Sequence, residues 1–365
     1  SNLGNALRTR FRRTGELTDL DEAIVVGRLA VAATPENHPD RSKCLGNLSS
    51  GLRTRFERTG ELTDVDEAIT AGRGAVAAIP DNHPDRPMYL SNLGAALRNR
   101  FQRTGRRADL NEAIRVGRDA VAATPANHPD RPMYLAILSS GLRSRFERVG
   151  DLTDLNDAIT ASREAIEATP ADHPNRPMYL ANLGNALRSR SERTGKRADL
   201  DEAIAVGRKA VDAAPASHPD RPMYLSNLCN SLGTRFLQVG ERADLDAAVT
   251  AGQAAIDAAP VDHPDRAWML SNLGIGLHQR FQRTGELADL DEAIEMGRQA
   301  VTATPESHRS RAVRLSNLSG GLWMRYRRTG ELADLDKAIE VALIGVLLVE
   351  QWRSDGGPVG VLRRV

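Results

Sequence analysis

Residues 87–103, PMYLSNLGAALRNRFQR, and residues 104–125, TGRRADLNEAIRVGRDAVAATP, decide the fold between them. The first stretch places Leu90, Leu93, Leu97 and Phe101 at steps of three or four, one apolar stripe along a helix, helix A. Thr104 and Gly105 end it, glycine being the usual residue just past a helix C-terminus. Asp109-Leu110-Asn111-Glu112 then reads as a capping box, with Asp109 as N-cap of helix B. Leu110, Ala113, Ile114, Gly117, Ala120 and Val121 form the apolar face of helix B, and Thr124-Pro125 stops it because proline cannot continue the hydrogen-bond ladder. A polar link, residues 126–131, leads to the next helix A.

Working outward, the same stretch recurs along the whole chain. Gly105 has counterparts at Gly15, Gly60, Gly150, Gly195, Gly240, Gly285 and Gly330, all in a 45-residue register. His38, His83, His128, His173, His218, His263 and His308 keep that register without insertion or deletion. Two amphipathic helices of this size cannot bury their stripes alone, so the units must stack into a quasi-linear array. Strand content should be near zero. Counted from Ser1, the units are 1–45, 46–90, 91–135, 136–180, 181–225, 226–270, 271–315 and 316–341, with 342–365 as an atypical C-terminal helix and tail.

These residues resemble tetratricopeptide repeats in the long-unit variety of kinesin light chains. The likeness rests on Leu93, Gly94 and Leu97 in helix A, on Ala113, Ala120 and Pro125 in helix B, and on the tract His-Pro-Asp followed by Leu-Ser-Asn-Leu-Gly. Similar arrays occur in fungal and bacterial regulatory proteins that also carry nucleotide-binding or caspase-like domains. The unit is longer than the family's ~34 residues, by roughly seven between Leu93 and Ala113 and roughly four between Pro125 and Leu138. The resemblance implies an all-α fold, a right-handed α-solenoid (TPR-like superhelix) of antiparallel helix pairs. It also implies a groove that receives protein segments.

Composition fits a soluble helical protein: of 365 residues 41% are hydrophobic, 27% charged and only 4% aromatic. Forty-nine basic against 48 acidic side chains leave a net charge of +1, so no whole-protein field draws nucleic acid or anionic membrane. The two cysteines, Cys44 and Cys229, make neither a disulfide framework nor a zinc motif, which suits a reducing, cytoplasmic setting. The apolar run Val341–Val349 is too short to span a bilayer. Ser1 opens inside a helix A, which predicts a piece of a longer protein.

A position identical in every unit should serve the unit-to-unit contact, whereas a varying one faces solvent or ligand. Leu93, Leu97, Phe101 and the small residue at Ala96 recur and read as packing. A second stripe, Met88, Asn92, Ala95, Asn99 and Gln102, varies, and its equivalent lines the groove in the family it resembles. Within it one position is nearly constant: Asn2, Asn47, Asn92, Asn182, Asn227, Asn272 and Asn317, with Ile137 the exception. A carboxamide offers both acceptor and donors, so a ladder of them could clamp the main chain of an extended peptide; the bland alternative is a bond to the neighbouring helix. Arg53, Arg98, Arg143 and Arg188, replaced later by Gly233, His278 and Trp323, predict a basic strip suited to an acidic peptide. Leu237, Trp268, Met269, Ile275, His278 and Trp323 predict a hydrophobic contact patch in the last units. Arg100 and Asp109 recur in all eight units and should neutralise each other at the A–B turn.

Catalytic chemistry finds no foothold. Histidines one unit apart sit on helices about 8–10 Å apart, too far to converge on one metal ion, and His-Pro at a helix start reads as capping with proline in the first turn. No phosphate loop occurs, and neither cysteine has a local histidine. No cofactor is expected. The expectation is a non-catalytic protein- or peptide-binding scaffold. The alternative is a regulatory or self-association arm of a multidomain protein, contacting a neighbouring domain or another copy through Val341–Val349. More remote is an RNA-binding helical repeat, which would need a positive groove and side chains varying as a code.

Overall fold

The computed structural model describes residues 2–306, 308 and 310–354, and among these it forms sixteen helices and no strand. The chain divides into two compact units, Ser1–Thr169 and Pro170–Val365. The first holds α1 (Asn2–Thr14), α2 (Leu17–Ala33), α3 (Arg41–Thr59), α4 (Leu62–Ala77), α5 (Arg86–Thr104), α6 (Arg107–Ala122), α7 (Arg131–Val149) and α8 (Leu152–Glu167). The second holds α9 (Arg176–Thr194), α10 (Arg197–Ala213), α11 (Arg221–Val239), α12 (Arg242–Ala258), α13 (Arg266–Thr284), α14 (Leu287–Thr302), α15 (Arg311–Thr329) and α16 (Leu332–Ser354). Odd-numbered helices are A and even-numbered are B, eight consecutive antiparallel pairs of an α-solenoid.

Only Gly105 and Arg106 lie between α5 and α6, so the extra residues of the long unit lengthen helices rather than the turn. Gly105 closes α5 at φ 72°, its N–H donating to the Phe101 carbonyl at 2.7 Å. Thr104 adds a bond from its hydroxyl to the Arg100 carbonyl at 2.8 Å and accepts from the Arg106 N–H at 3.3 Å. Every A–B turn among the described residues repeats the positive-φ glycine. Gly105→Val forces a β-branched side chain into that conformation. It should cost about 1–2 kcal/mol in urea unfolding.

The recurring small residues are where helices meet. Gly141 on α7 faces Ile114 of α6, and a Cβ there would already sit 3.3 Å from the Ile114 side chain. In the other direction Gly117 on α6 lies under Leu138 of α7, with a Cβ 3.4 Å from its methyl group. Within each unit, every helix A after the first is thus seated between its own helix B and the preceding one. In the first unit Leu52, Leu97, Ile69 and Val65 lie in one continuous core at 0–1% exposure. Successive A helices also touch (α3 with α5, α5 with α7; α9 with α11, α11 with α13), so in each unit the A layer is the tighter one. Successive B helices are bridged instead by long side chains, as in Arg73–Glu112 and Arg118–Asp157.

Several expectations change. Asp109 is not the N-cap of helix B, because α6 begins at Arg107 and Asp109 sits inside its first turn, buried. Its carboxylate is turned away from the helix end to accept Arg100 Nε at 2.8 Å and Nη2 at 2.6 Å. Arg100 also reaches Asp66 of the preceding helix B at 2.6 Å, so one guanidinium ties a pair together and to its neighbour. The same cross-tie joins Arg55 to Asp21, Arg235 to Asp201 and Arg325 to Asp291.

The His-Pro tract is also reassigned. The proline opening α7 is Pro132, whereas Pro129 of His-Pro lies in the link. The imidazole folds the link itself: His128 Nδ1 accepts the Asp130 N–H at 3.2 Å, and all seven recurring histidines do likewise. Unit boundaries counted from Ser1 cut helix A just past its first turn; the structural repeat starts at Arg41, Arg86 and their equivalents. The proposed break at residues 341 and 342 falls inside α16, which runs unbroken from Leu332 because Glu350 stands where Pro305 ends the preceding B helix. The rest of the predicted tail, residues 355–365, lies outside the described residues.

Candidate binding face

The varying stripe is accessible only in part. On α5 Met88 and Gln102 are exposed and Asn92 half-buried, while Ala95 and Asn99 are buried beneath them. Asn99 is structural, donating to Glu57 Oε1 on α3 at 2.8 Å. On α7 the same pattern exposes Met133 and Glu147 and half-exposes Ile137, Ser140 and Ser144.

The asparagine column splits. Asn272 Nδ2 donates to Ser226 Oγ on the preceding A helix at 3.0 Å. Asn47 receives Arg8 on its side-chain and main-chain oxygens at 3.5 Å, leaving its Nδ2 buried without an acceptor. Asn92, Asn182, Asn227 and Asn317 make no side-chain hydrogen bond to protein, and none of them is buried. The side chain of Asn2 lies outside the described residues.

The basic strip is less basic than its sequence. Arg53, Arg143 and Arg188 each pair with a glutamate one turn on, Glu57, Glu147 and Glu192. Arg98 stands apart, with Gln102 at that place.

The hydrophobic patch is brought together only in part. Met269 is 1% exposed and belongs to the core, so it leaves the surface patch; it occupies the place of the buried Tyr89, Tyr134, Tyr179 and Tyr224. That recurrence was a signal available in the sequence. Trp268 is half-buried and packs on the same core as Met223 and Met296. Leu237 and Ile275 are exposed, and Trp323 is exposed with the Arg327 guanidinium 4.9 Å from its ring centre. His278 is half-buried, and burial pushes its pKa down, favouring the neutral imidazole.

Two features escaped the sequence reading. Arg131 at the end of each link turns back to the last carbonyls of the preceding helix B, reaching Val121 O at 2.7 Å and Thr124 O at 2.5 Å. That is a cationic cap on a helix C-terminus. A cleft of about 660 Å³ opens between α4, α5 and α6, floored by Val76, Leu90 and Val116. Its rim charges pair with one another, Arg86 with Asp81 and Arg73 with Glu112. Among the described residues no group of three metal-ligating side chains converges, and no helix is long and apolar enough to cross a membrane.

A stack of helix pairs with invariant packing and one varied, partly open helix face is a helical-repeat scaffold. Residues 88–130 and 178–220 match the family model of the tetratricopeptide repeat. The other units carry the same residues in the same register, so the array is one of long-unit tetratricopeptide repeats. No curated protein matches the chain in sequence. Among solved structures, a Podospora anserina kinesin-light-chain protein of nearly identical TPR-like repeats aligns at 17% identity and TM-score 0.43, covering 59% of this chain and 96% of its own. The human IFIT1 dimer with m7Gppp-AAAA aligns at 14% identity and TM-score 0.59, covering 91% of this chain and 68% of that one. At that identity the likeness is one of fold.

Proposed function

We infer that this chain is a non-catalytic scaffold that binds an extended segment of another protein along the helix-A face. The observation supporting it is the pair of carboxamides at Asn182 and Asn227 in the second unit, half-exposed on that face and without partners among the described residues, as is Asn92 in the first unit. Each can give and take a hydrogen bond with a peptide main chain, whatever its sequence. Selecting peptides from a random display library against the purified chain supplies ligands. Asn182→Ala and Asn227→Ala together, both in the second unit, should weaken those peptides at least tenfold, at about 1 kcal/mol per lost bond. Helical circular dichroism and melting temperature should stay unchanged. A lower melting temperature with unaltered affinity would make the asparagines structural.

A second reading, an arm that associates with itself or a neighbouring domain, is favoured by α16. Leu343 and Leu347 are 58% and 67% exposed there, while Val341 and Leu348 pack inward. Leu343→Glu with Leu347→Glu should lower the mass measured by light scattering if copies associate; a wild-type monomer counts against self-association. An RNA reading, prompted by the IFIT1 ligand, gains little from this A face, whose arginines are mostly tied to glutamates. A reducing, cytoplasmic setting suits two buried free cysteines, and burial raises the Cys229 thiol to about 12, leaving it unreactive.

A further inference from the structure

Arg314 breaks the pattern of its own repeat. The place it holds on α15 belongs to a buried tyrosine in α5, α7, α9 and α11 and to the buried Met269 in α13. In α5 the Tyr89 ring lies against the preceding A helix, where a Cβ on Gly46 would sit 2.5 Å from it. The residue in the register of Gly46 before Arg314 is Ser271, whose hydroxyl is shielded from solvent and has no partner. Arg314 donates to Thr304 Oγ1 at the end of α14. Arg311 reaches the same residue, donating to the Thr304 carbonyl and, at 2.7 Å, to the Val301 carbonyl. Two half-buried guanidinium groups therefore converge on one threonine, and among the described residues neither forms an ion pair. Arg86, the counterpart of Arg311, pairs with Asp81, but the exposed Glu306 at the place of Asp81 pairs with neither arginine. Acid is also missing next door, since Ser310 stands where Asp85, Asp130, Asp220 and Asp265 precede their helices. Residues 306–314 hold three arginines against one glutamate, a net +2, whereas the six equivalent stretches carry 0 or −1.

We propose that Arg311 and Arg314 form an anion site at the junction of α14 and α15, one that takes a phosphoryl group. The hydrogen bonds to α14 use only Nη1 of each arginine. The Nε–Nη2 edge, which grips an oxyanion through two parallel bonds, stays open on both side chains. The carbonyls of Val301 and Thr304 are dipoles, so they orient the two guanidinium groups without neutralising them. Burial lowers the pKa of Arg314, the direction expected of a partly desolvated cation, although it stays protonated throughout the physiological range. Such a cation without a counter-ion is a cost carried by the folded state, and an arriving anion removes it. Charge selects the ligand. Two cations with no carboxylate between them match a phosphate dianion, whereas a carboxylate compensates only one. The unpartnered Ser271 hydroxyl supplies a further donor. The site stands apart from the varying stripe, which on α15 runs through Val313 and Asn317, so it does not depend on the helix-A reading.

The test titrates the full ¹⁵N-labelled chain, at constant ionic strength, with inorganic phosphate, with a glycine–phosphoserine–glycine peptide and with acetate. Phosphate should shift the Nε–H resonances of Arg311 and Arg314 together and saturably, with a dissociation constant of about 1 mM, the strength of two or three charge-assisted bonds. Acetate should bind about tenfold more weakly. Arg314→Tyr, which restores the residue of the other helix pairs, should weaken phosphate by about tenfold. Ser310→Asp, a surface change that returns the missing acid, should weaken it by about threefold. Shifts that grow without saturating, or phosphate and acetate bound alike, overturn the phosphoryl site. So does phosphate binding that ignores both substitutions. Within a positive result the two sources separate. Tighter binding of the phosphoserine peptide than of inorganic phosphate assigns the site to a phosphorylated protein, and the reverse order assigns it to free phosphate.

Discussion

Arg100→Met is expected to destabilise the first unit by about 3–5 kcal/mol. The size follows from what is left behind. Asp109 has only 5% of its side chain exposed, and both its oxygens accept from the Arg100 guanidinium. Removing the arginine strands a buried carboxylate, and it also cuts the tie to Asp66. Restoring neutrality should recover most of the loss, so Arg100→Met combined with Asp109→Leu should be milder than Arg100→Met alone. A urea double-mutant cycle measures this directly. If Arg100→Met costs under about 1 kcal/mol, the pair is acting as an ordinary surface salt bridge instead.

Leu97→Ala is expected to cost about 3–5 kcal/mol, the range for truncating a fully enclosed leucine. Leu97 is 0% exposed and belongs to the core that also holds Ile69, Leu93 and Val116, from α4, α5 and α6. In a stacked array each pair contacts only its neighbours, so the damage should stay local. Hydrogen exchange should show α4 to α6 losing protection first, with the second unit unaffected at low denaturant. A uniform loss along the chain would mean that the units unfold as one cooperative body.

The repeat made much of the fold legible. Leu93, Leu97 and Phe101 recur because every unit makes the same contact, and helical spacing is enough to place them on one face. Gly105 announces its turn because the left-handed conformation there favours glycine. Met88 and Gln102 were legible for the opposite reason, since exposed side chains are free to vary. Met269 shows where this logic was applied too loosely: set beside Tyr89 and Tyr224 it is a core position, whatever the novelty of its side chain.

By itself, then, the sequence determined the helix pairs, their register, the stacking contacts and the face left open. These follow from local periodicity and from a contact repeated every 45 residues. Which polar side chains meet was decided only by the tertiary structure. Asp109 satisfies Arg100 rather than the end of its own helix, and three of the strip's arginines are silenced by glutamates while Arg98 is not. Asn272 bonds to Ser226, whereas Asn92 keeps its carboxamide free. The physical reason is that apolar burial depends on spacing along one helix. A hydrogen bond depends on distance and direction between atoms on different helices, which packing alone sets.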